Sequence, residues 1–213
     1  MKMKITKFVH SCLLIESPGI NALIDPGNYT WGSHLLRVDR LPVLDYVVIT
    51  HEHPDHYDEY GLRELSRHFP HAAIITNTDL ANKIATLKLP NPVRAGSEDN
   101  LTVFEAKHEP LPLATPNVLN IGVHVANKLT HTGDSYDLPQ SREVLALPLT
   151  GPFASYRQAL DVIVKLKPRV VLPIHDWEWH KAARQNRYSR AKQLLNKYNI
   201  EFIELESGDP VEL

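Results

Sequence analysis

The feature that most constrains this chain is the segment HEHPDH, which begins at His51 and directly follows the apolar run 43–50. A short run rich in β-branched residues is typical of a strand buried on both faces. His51 and His53 alternate along an extended backbone and therefore point to one side. The turn that follows offers Asp55 and His56 toward a neighbouring point. The spacing H-x-H-x-D-H thus lets one loop supply ligands to two metal ions.

Three further ionisable residues stand at the ends of other predicted strands. They are His108 after the strand at 101–107, Asp134 after the strand at 118–132, and His175 after the strand at 169–174. A site on one edge of a sheet would require such strand ends. The chain has 12 histidines among 213 residues, an unusual number that agrees with a metal site.

Proline and glycine positions divide the rest of the chain into short elements. We predict strands over 3–16, 20–25, 43–50, 72–76, 101–107, 118–132, 144–149, 169–174 and 201–205, and helices over 58–69, 79–88, 155–167 and 178–199. Residues 27–41 are predicted to form a loop. Strands dominate the first half and helix–strand alternation closes the chain, which indicates an α/β layered sandwich. The length fits one compact domain, 1–213.

In this order, the motifs resemble those of the metallo-β-lactamase superfamily. They are Asp25 in LIDPG, the HEHPDH segment, His108, Asp134 in TGDS and His175 in LPIHD. The stretch GPFASYRQALDVIVKLKPRVVLPIHD is most similar to the branch that contains ascorbate-6-phosphate-lactonase-like hydrolases. The resemblance implies a four-layer αββα sandwich with the metals on one edge.

The resemblance also implies a role for each site residue. The first metal ion would be held by His51, His53 and His108, the second by Asp55, His56 and His175, and Asp134 would bridge them. A hydroxide shared by the two ions would then attack the substrate. Asp55 could additionally orient this hydroxide. Asp25 would fix the ligand loop by hydrogen bonds. His10, whose counterpart faces the metals in related hydrolases, would contact the substrate or protonate the leaving group.

All the proposed ligands offer nitrogen or oxygen. Zinc is the ion we expect, and manganese, iron, cobalt and nickel also suit such a site. Cys12 lies on the first strand and is predicted to be a core residue. His124 is the rival of His108, but it shares a predicted hairpin with Asp134, and we therefore prefer His108. His180 is an open alternative for a residue that lines the pocket.

The predicted function is hydrolysis of an ester, lactone or phosphate ester of a small polar molecule. A nuclease or phosphodiesterase of the same superfamily would use the same ligands but typically adds a long basic arm, which we do not find. A mononuclear iron dioxygenase usually lacks a complete second ligand set. The alternative from another class is a non-catalytic metal-binding protein.

Composition limits the partners and the location of the protein. The net charge of -2 and the absence of a long basic run argue against nucleic acid. No apolar stretch approaches the roughly 20 residues of a membrane span, and one cysteine fits a reducing cytoplasm. A homo-oligomer remains open. We expect the substrate to be selected by the loops 27–41 (with Tyr29 and Trp31) and 109–117, and by Tyr136, Phe153 and Trp177.

Overall fold

The computed structural model describes residues 2–111, 118–205 and 207–213. The strands are β1 (Lys4–Lys7), β2 (Leu13–Ser17), β3 (Ile20–Ile24), β4 (Tyr46–Val48), β5 (Ala73–Ile75), β6 (Val93–Arg94), β7 (Leu101–Glu105), β8 (Ile121–Val125), β9 (Leu129–His131), β10 (Val144–Pro148), β11 (Val170–Ile174), β12 (Glu201–Phe202) and β13 (Pro210–Glu212). The helices are α1 (Asn28–Gly32), α2 (Glu59–His68), α3 (Thr78–Ala85), α4 (Tyr156–Leu166) and α5 (Lys181–Asn196), with a 3₁₀ turn at Val38–Arg40. No helix in these described ranges is long and apolar enough to cross a membrane.

The strands form two mixed sheets. The first has the order β13-β1-β2-β3-β4-β5-β6, and the second has the order β12-β11-β10-β9-β8-β7. Strands β3 to β6 run parallel in the first sheet, and strands β9 to β12 run parallel in the second. Parallel strands bring their carboxyl ends to one edge of a sheet, and the segment HEHPDH follows such an end.

Three apolar clusters hold the layers together. The first lies between the sheets and includes Ile15 of one and Leu172 of the other. The second joins the first sheet to α2 and α3 through residues such as Leu62. The third joins the second sheet to α4 and α5 through residues such as Ile163. The order of layers is therefore αββα, which confirms the predicted fold.

The first predicted strand, 3–16, is in fact two strands joined by a tight turn. Phe8 N donates to the carbonyl of Cys12, and Cys12 N donates to the carbonyl of Val9. His10 lies in this turn with φ of 56°, a left-handed conformation that few non-glycine residues adopt. The sequence gives no sign of the turn, because the apolar residues of the strands continue through it. Phe8, Val9 and Cys12 are all buried.

Three other regions also differ from the prediction. Residues 118–132 form the hairpin β8–β9, which turns at Ala126 and Asn127 with φ of 48° and 51°. The predicted loop 27–41 contains α1 and the 3₁₀ turn. Two short strands were missed, β6 and β13, and the last predicted strand shrinks to β12.

Candidate metal centre

The first group of predicted ligands consists of His51, His53, His108 and Asp134. One ligand atom from each lies within 4.8 Å of all the others. Nε2 of His51 and Nε2 of His108 are each 3.7 Å from Oδ2 of Asp134. Nδ1 of His53 is 3.0 Å from Nε2 of His51. These four side chains therefore surround one point at the end of β4.

The second group consists of Asp55, His56 and His175, together with His10 from the turn between β1 and β2. Oδ2 of Asp55 lies 3.0 Å from Nε2 of His10 and 3.2 Å from Nε2 of His175. Asp134 lies between the two groups, since its oxygens are 3.3 Å from Nε2 of His56 and 3.3 Å from Nε2 of His175. The structure thus brings together all seven predicted ligands and adds His10.

Buried atoms without hydrogen-bond partners test whether these groups fit metal ions. Within the described residues, eleven buried side-chain atoms make no hydrogen bond, and four of them belong to the two groups: Nδ1 of His10, Nε2 of His56, Nε2 of His108 and Oδ1 of Asp134. Such atoms are rare in folded proteins because leaving them unpaired is costly. A cation bound at each group would satisfy Nε2 of His56, Nε2 of His108 and Oδ1 of Asp134. The residues therefore fit divalent metal ions.

Asp25 and Thr50 set the orientation of two of the histidines. Oδ2 of Asp25 accepts from Nδ1–H of His56 at 2.7 Å and from the Thr50 hydroxyl at 2.8 Å. The Thr50 hydroxyl in turn lies 3.0 Å from Nδ1 of His51. Since Asp25 can only accept, Nδ1 of His56 carries a hydrogen, and in the neutral imidazole that binds a metal ion the lone pair is on Nε2, which faces Asp134. Asp25 thus has the position predicted for it.

His108 is oriented in the same way, by a backbone carbonyl. Its Nδ1–H donates to the carbonyl of Glu109 at 2.6 Å, which leaves Nε2 for the first group. Asn120 supports the neighbouring strand ends. Its amide donates to the carbonyls of Ala106 and Thr132, and its oxygen accepts from Asp134 N at 3.2 Å. Sequence reasoning missed Asn120, because asparagines near strand ends are common and its partners are not adjacent in sequence.

Close backbone packing fixes the ligand loop against α1. A Cβ at Gly27 would lie 2.0 Å from the carbonyl oxygen of Asp55, so only glycine fits at this point. Asn28 N also donates to the carbonyl of Pro54 at 2.8 Å. The LIDPG motif therefore supports HEHPDH through both its aspartate and its glycine.

A buried ion pair and a strained contact hold the second group. Nζ of Lys7 lies 2.7 Å from Oδ1 of Asp176 and donates to the carbonyl of Pro173 at 2.8 Å. His175 N donates to the carbonyl of His10, and both histidines have left-handed backbones with φ of 58° and 56°. Such strain persists only where the surroundings enforce it. Sequence reasoning missed both members of the ion pair.

Two histidines of the second group favour protonation when no metal is bound. Burial lowers the pKa of His56, but the carboxylates of Asp134, Asp25 and Asp55 outweigh burial and raise it well above its usual range. Burial likewise opposes protonation of His175, but Asp134 and Asp55 raise its pKa to about 9. A metal ion binding here therefore displaces protons.

Three other members of the groups have lowered pKa values: His10, His51 and Asp134. Burial lowers the pKa of His10 to about 4, despite its hydrogen bond to Asp55. Burial, reinforced by the nearby His56, also lowers the pKa of His51 well below its usual range. Burial would raise the pKa of Asp134, but His56 and His175 hold it well below its usual range. His10 and His51 are consequently neutral at pH 7, and Asp134 is charged.

A cavity of about 410 Å³ opens onto these groups. His53, Asp55, Asp134 and His175 form part of its wall. A larger cleft of about 780 Å³ beside β12 shares no lining residue with it. The two groups are thus accessible through this cavity.

The comparisons with known proteins agree with the geometry. The family model described as the beta-lactamase superfamily domain matches residues 4–175. The chain belongs to this family. A protein of Mycobacterium tuberculosis is 30% identical over 185 residues, covering 81% of this chain and 84% of that protein. A metal-dependent hydrolase of Nanoarchaeum equitans is 25% identical over 206 residues, covering 83% and 85% of the two chains.

A solved structure gives the same fold for this superfamily member. The metallo hydrolase of the archaeon Ignicoccus hospitalis superposes with a TM-score of 0.73 at 20% identity, and the match covers 100% of this chain and 99% of that one. The family match and the hydrolase relative confirm the prediction of a metal-dependent hydrolase of the metallo-β-lactamase superfamily.

Only some of the residues predicted to select the substrate line the cavity. Tyr29 and Phe153 line the cavity, whereas Trp31, Tyr136 and Trp177 are not among its described lining residues. Of the predicted loop 109–117, residues 112–117 lie outside the described residues.

Three residues considered as ligands or pocket residues lie outside both groups: His124, His180 and Cys12. His124 stacks on Phe104 with ring centroids 4.5 Å apart, which makes His108 the better placed of the two rivals. His180 is exposed and caps α5. Cys12 is fully buried in the second apolar cluster, as predicted.

Proposed function

We propose that the protein, as one domain over 1–213, binds two divalent metal ions and hydrolyses an ester, lactone or phosphate ester of a small polar molecule. The observation that carries this proposal is the pair of adjacent four-residue groups that open onto one cavity. Asp134 contacts members of both groups and is the proposed bridge. Zinc is the proposed ion, because imidazole nitrogen is the main ligand type; manganese, iron, cobalt and nickel suit the same donors.

When bound, the two ions lower the pKa of a water molecule and polarise the oxygen of the scissile group. The protein positions the reactants. Asp55 lines the cavity, and its carboxylate can accept a hydrogen bond from the attacking water. Nε2–H of His10 donates to Asp55 at 3.0 Å and fixes the direction of this carboxylate.

The proton of the leaving group has two sources in the predicted mechanism, His10 and water. Burial lowers the pKa of His10 to about 4, so this side chain is a neutral imidazole at pH 7. We therefore propose that water protonates the leaving group. His10 would instead orient Asp55 and contribute to the group that holds the second metal ion.

The alternatives have less support. A mononuclear iron dioxygenase needs only one ligand group, whereas both groups are assembled here. A nuclease needs a basic surface at its site, and no lysine or arginine lines the described part of the cavity. A non-catalytic metal protein would not require a cavity of about 410 Å³ over its ligands.

Metal analysis of the purified protein tests the proposal. We expect about two equivalents of metal in the parent protein and a clear loss in Asp134→Ala. Asp161→Asn is the matched control, because it removes a carboxylate that is 70% exposed on α4. Hydrolysis of lactones, carboxylic esters and phosphodiesters is then screened with the metal that is found.

Three results would contradict the proposal. One equivalent of iron would favour oxygen chemistry. No bound metal after reconstitution with zinc or manganese would exclude the hydrolytic mechanism. A full metal content in Asp134→Ala would exclude Asp134 as the bridge.

A further inference from the structure

The wall of the cavity carries an unusual distribution of charge. Apart from the proposed metal ligands, Glu178 is the one charged side chain among its described lining residues. Protein sites that recognise phosphate or carboxylate substituents usually supply arginine or lysine for this purpose. This wall instead presents an acid.

Tyr29, another residue that lines the cavity, forms a hydrogen bond with Glu178. The hydroxyl of Tyr29 donates to Oε1 of Glu178 at 2.8 Å, which connects α1 to the segment after β11. This hydrogen bond raises the pKa of Tyr29 to about 12, so the hydroxyl stays protonated and continues to donate. The Tyr29 ring packs edge-on against His10, with centroids 5.1 Å apart. Glu178 is exposed, and its carboxylate is thus connected through Tyr29 to the second ligand group.

The rest of the wall is largely uncharged. Leu111, Pro152 and Phe153 provide apolar surface, and Asn28 provides an amide. Such a surface suits the uncharged part of a small substrate. The second oxygen of Glu178 can accept a hydrogen bond from a hydroxyl, amide or ammonium group of that substrate.

On the basis of the proposed hydrolytic function, we infer that Glu178, held by Tyr29, makes this site selective for substrates whose non-reacting part is neutral or cationic. Phosphorylated and carboxylated substrates bring a second negative charge to the acid and are disfavoured. The scissile group still binds at the metal ions, whether it is an ester, a lactone or a phosphate ester. The branch to which this sequence is most similar is named after a phosphorylated lactone. The inferred substrates differ from that compound because their non-reacting part is neutral or cationic.

Three ethyl esters of similar size, whose hydrolysis is followed by the acid released, test the inference: the butyrate (neutral), the hemisuccinate (anionic) and the 4-aminobutyrate (cationic). With the metal-loaded protein, we expect kcat/KM for the hemisuccinate to be about fivefold or more below that for the butyrate. Glu178→Gln should raise kcat/KM for the hemisuccinate about 3- to 10-fold and leave that for the butyrate nearly unchanged. Added salt should reduce the difference in the parent protein.

Two further variants sharpen this comparison. Glu204→Gln removes an exposed carboxylate from outside the cavity and should leave all three values unchanged. Tyr29→Phe retains the charge but releases the carboxylate, so its effect should be smaller than that of Glu178→Gln. Equal kcat/KM values for the butyrate and the hemisuccinate in the parent protein, or an unchanged ratio in Glu178→Gln, would overturn the inference.

A binding measurement separates this inference from the proposed function. If the metal-loaded protein hydrolyses none of the three esters and none of the lactones and phosphodiesters of the screen, the proposed function fails. Quenching of tryptophan fluorescence then gives the Kd of each unreacted ester. Weaker binding of the hemisuccinate, relieved in Glu178→Gln, would still support the inference, whereas equal Kd values would overturn it.

Discussion

Replacement of Asp25 by asparagine tests how the ligand loop is oriented. The carboxylate is fully buried and accepts three hydrogen bonds, from the Thr50 amide at 2.8 Å, the Thr50 hydroxyl at 2.8 Å and Nδ1–H of His56 at 2.7 Å. The backbone of Asp25 is left-handed, with φ of 48°. Asparagine tolerates this conformation, so the change acts through the side chain.

The amide cannot satisfy all of these donors. If its nitrogen takes the place of Oδ2, Nδ1 of His56 must accept, and the hydrogen moves to Nε2. That atom faces Asp134 at 3.3 Å and would no longer be a metal ligand. If the nitrogen takes the place of Oδ1 instead, the Thr50 amide loses its acceptor.

We expect Asp25→Asn to lower the free energy of unfolding by about 2–4 kcal/mol, since a buried donor without a partner costs about 1–3 kcal/mol and bonds to a charged acceptor are lost. This corresponds to a fall in Tm of roughly 4–16 °C for a domain of this size. Metal affinity should fall about 10- to 100-fold.

Urea unfolding of the metal-free protein measures the stability of Asp25→Asn, and competition with a chromophoric chelator measures its metal affinity. Asp161→Asn serves as the control for an exposed carboxylate. Parent-like metal affinity together with parent-like stability in Asp25→Asn would refute the reasoning, because each placement of the amide nitrogen removes either Nε2 of His56 as a ligand or the acceptor of the Thr50 amide.

Other variants test further parts of the structure. Gly27→Ala should cost about 1–3 kcal/mol in urea unfolding and reduce metal content, whereas Gly96→Ala, where nothing lies within 4 Å, should do neither. Lys7→Met leaves the buried Asp176 carboxylate without its cation and should cost about 3–5 kcal/mol, with partial recovery on adding Asp176→Asn. Burial lowers the pKa of His124 from 6.5 to about 4. In the unfolded chain His124 binds a proton as the pH falls below 6.5, whereas in the folded protein it does so only near pH 4. The free energy of unfolding therefore falls over this window by up to about 3 kcal/mol. His124→Gln should lose less stability than the parent between pH 7 and 4 in urea unfolding, and equal losses would contradict this account.

Local sequence signals were sufficient for most of the fold. Helix α2 and helix α4 have nearly the predicted bounds, because Asp58 and Ser155 cap them and apolar residues recur at helical spacing. The predicted strand at 43–50 contains β4, since a β-branched apolar run buried on both faces suits a central parallel strand.

The missed strand β13 shows where local signals end. It begins with Pro210 and has only three residues, too few to show a period, although Val211 packs against the first apolar cluster between two exposed neighbours. Its pairing with β1 aligns Lys4 with Glu212, near the two ends of the chain. A strand that is stabilised mainly by pairing with a strand distant in sequence cannot be recognised from its own residues alone.

The same distinction separates the residues of the candidate site. A ligand such as His108 can be predicted from its residue type and its place at a strand end, because metal ions require a few donor groups. A supporting residue is recognised only through its partner. Lys7 and Asp176 are 169 positions apart, and a lysine in a strand or an aspartate after a histidine suggests nothing alone. The folded structure joins them beneath the contact between His10 and His175, and this contact closes the second ligand group. The residues that build the site are thus specified by chemistry, whereas those that hold it together are specified by the fold.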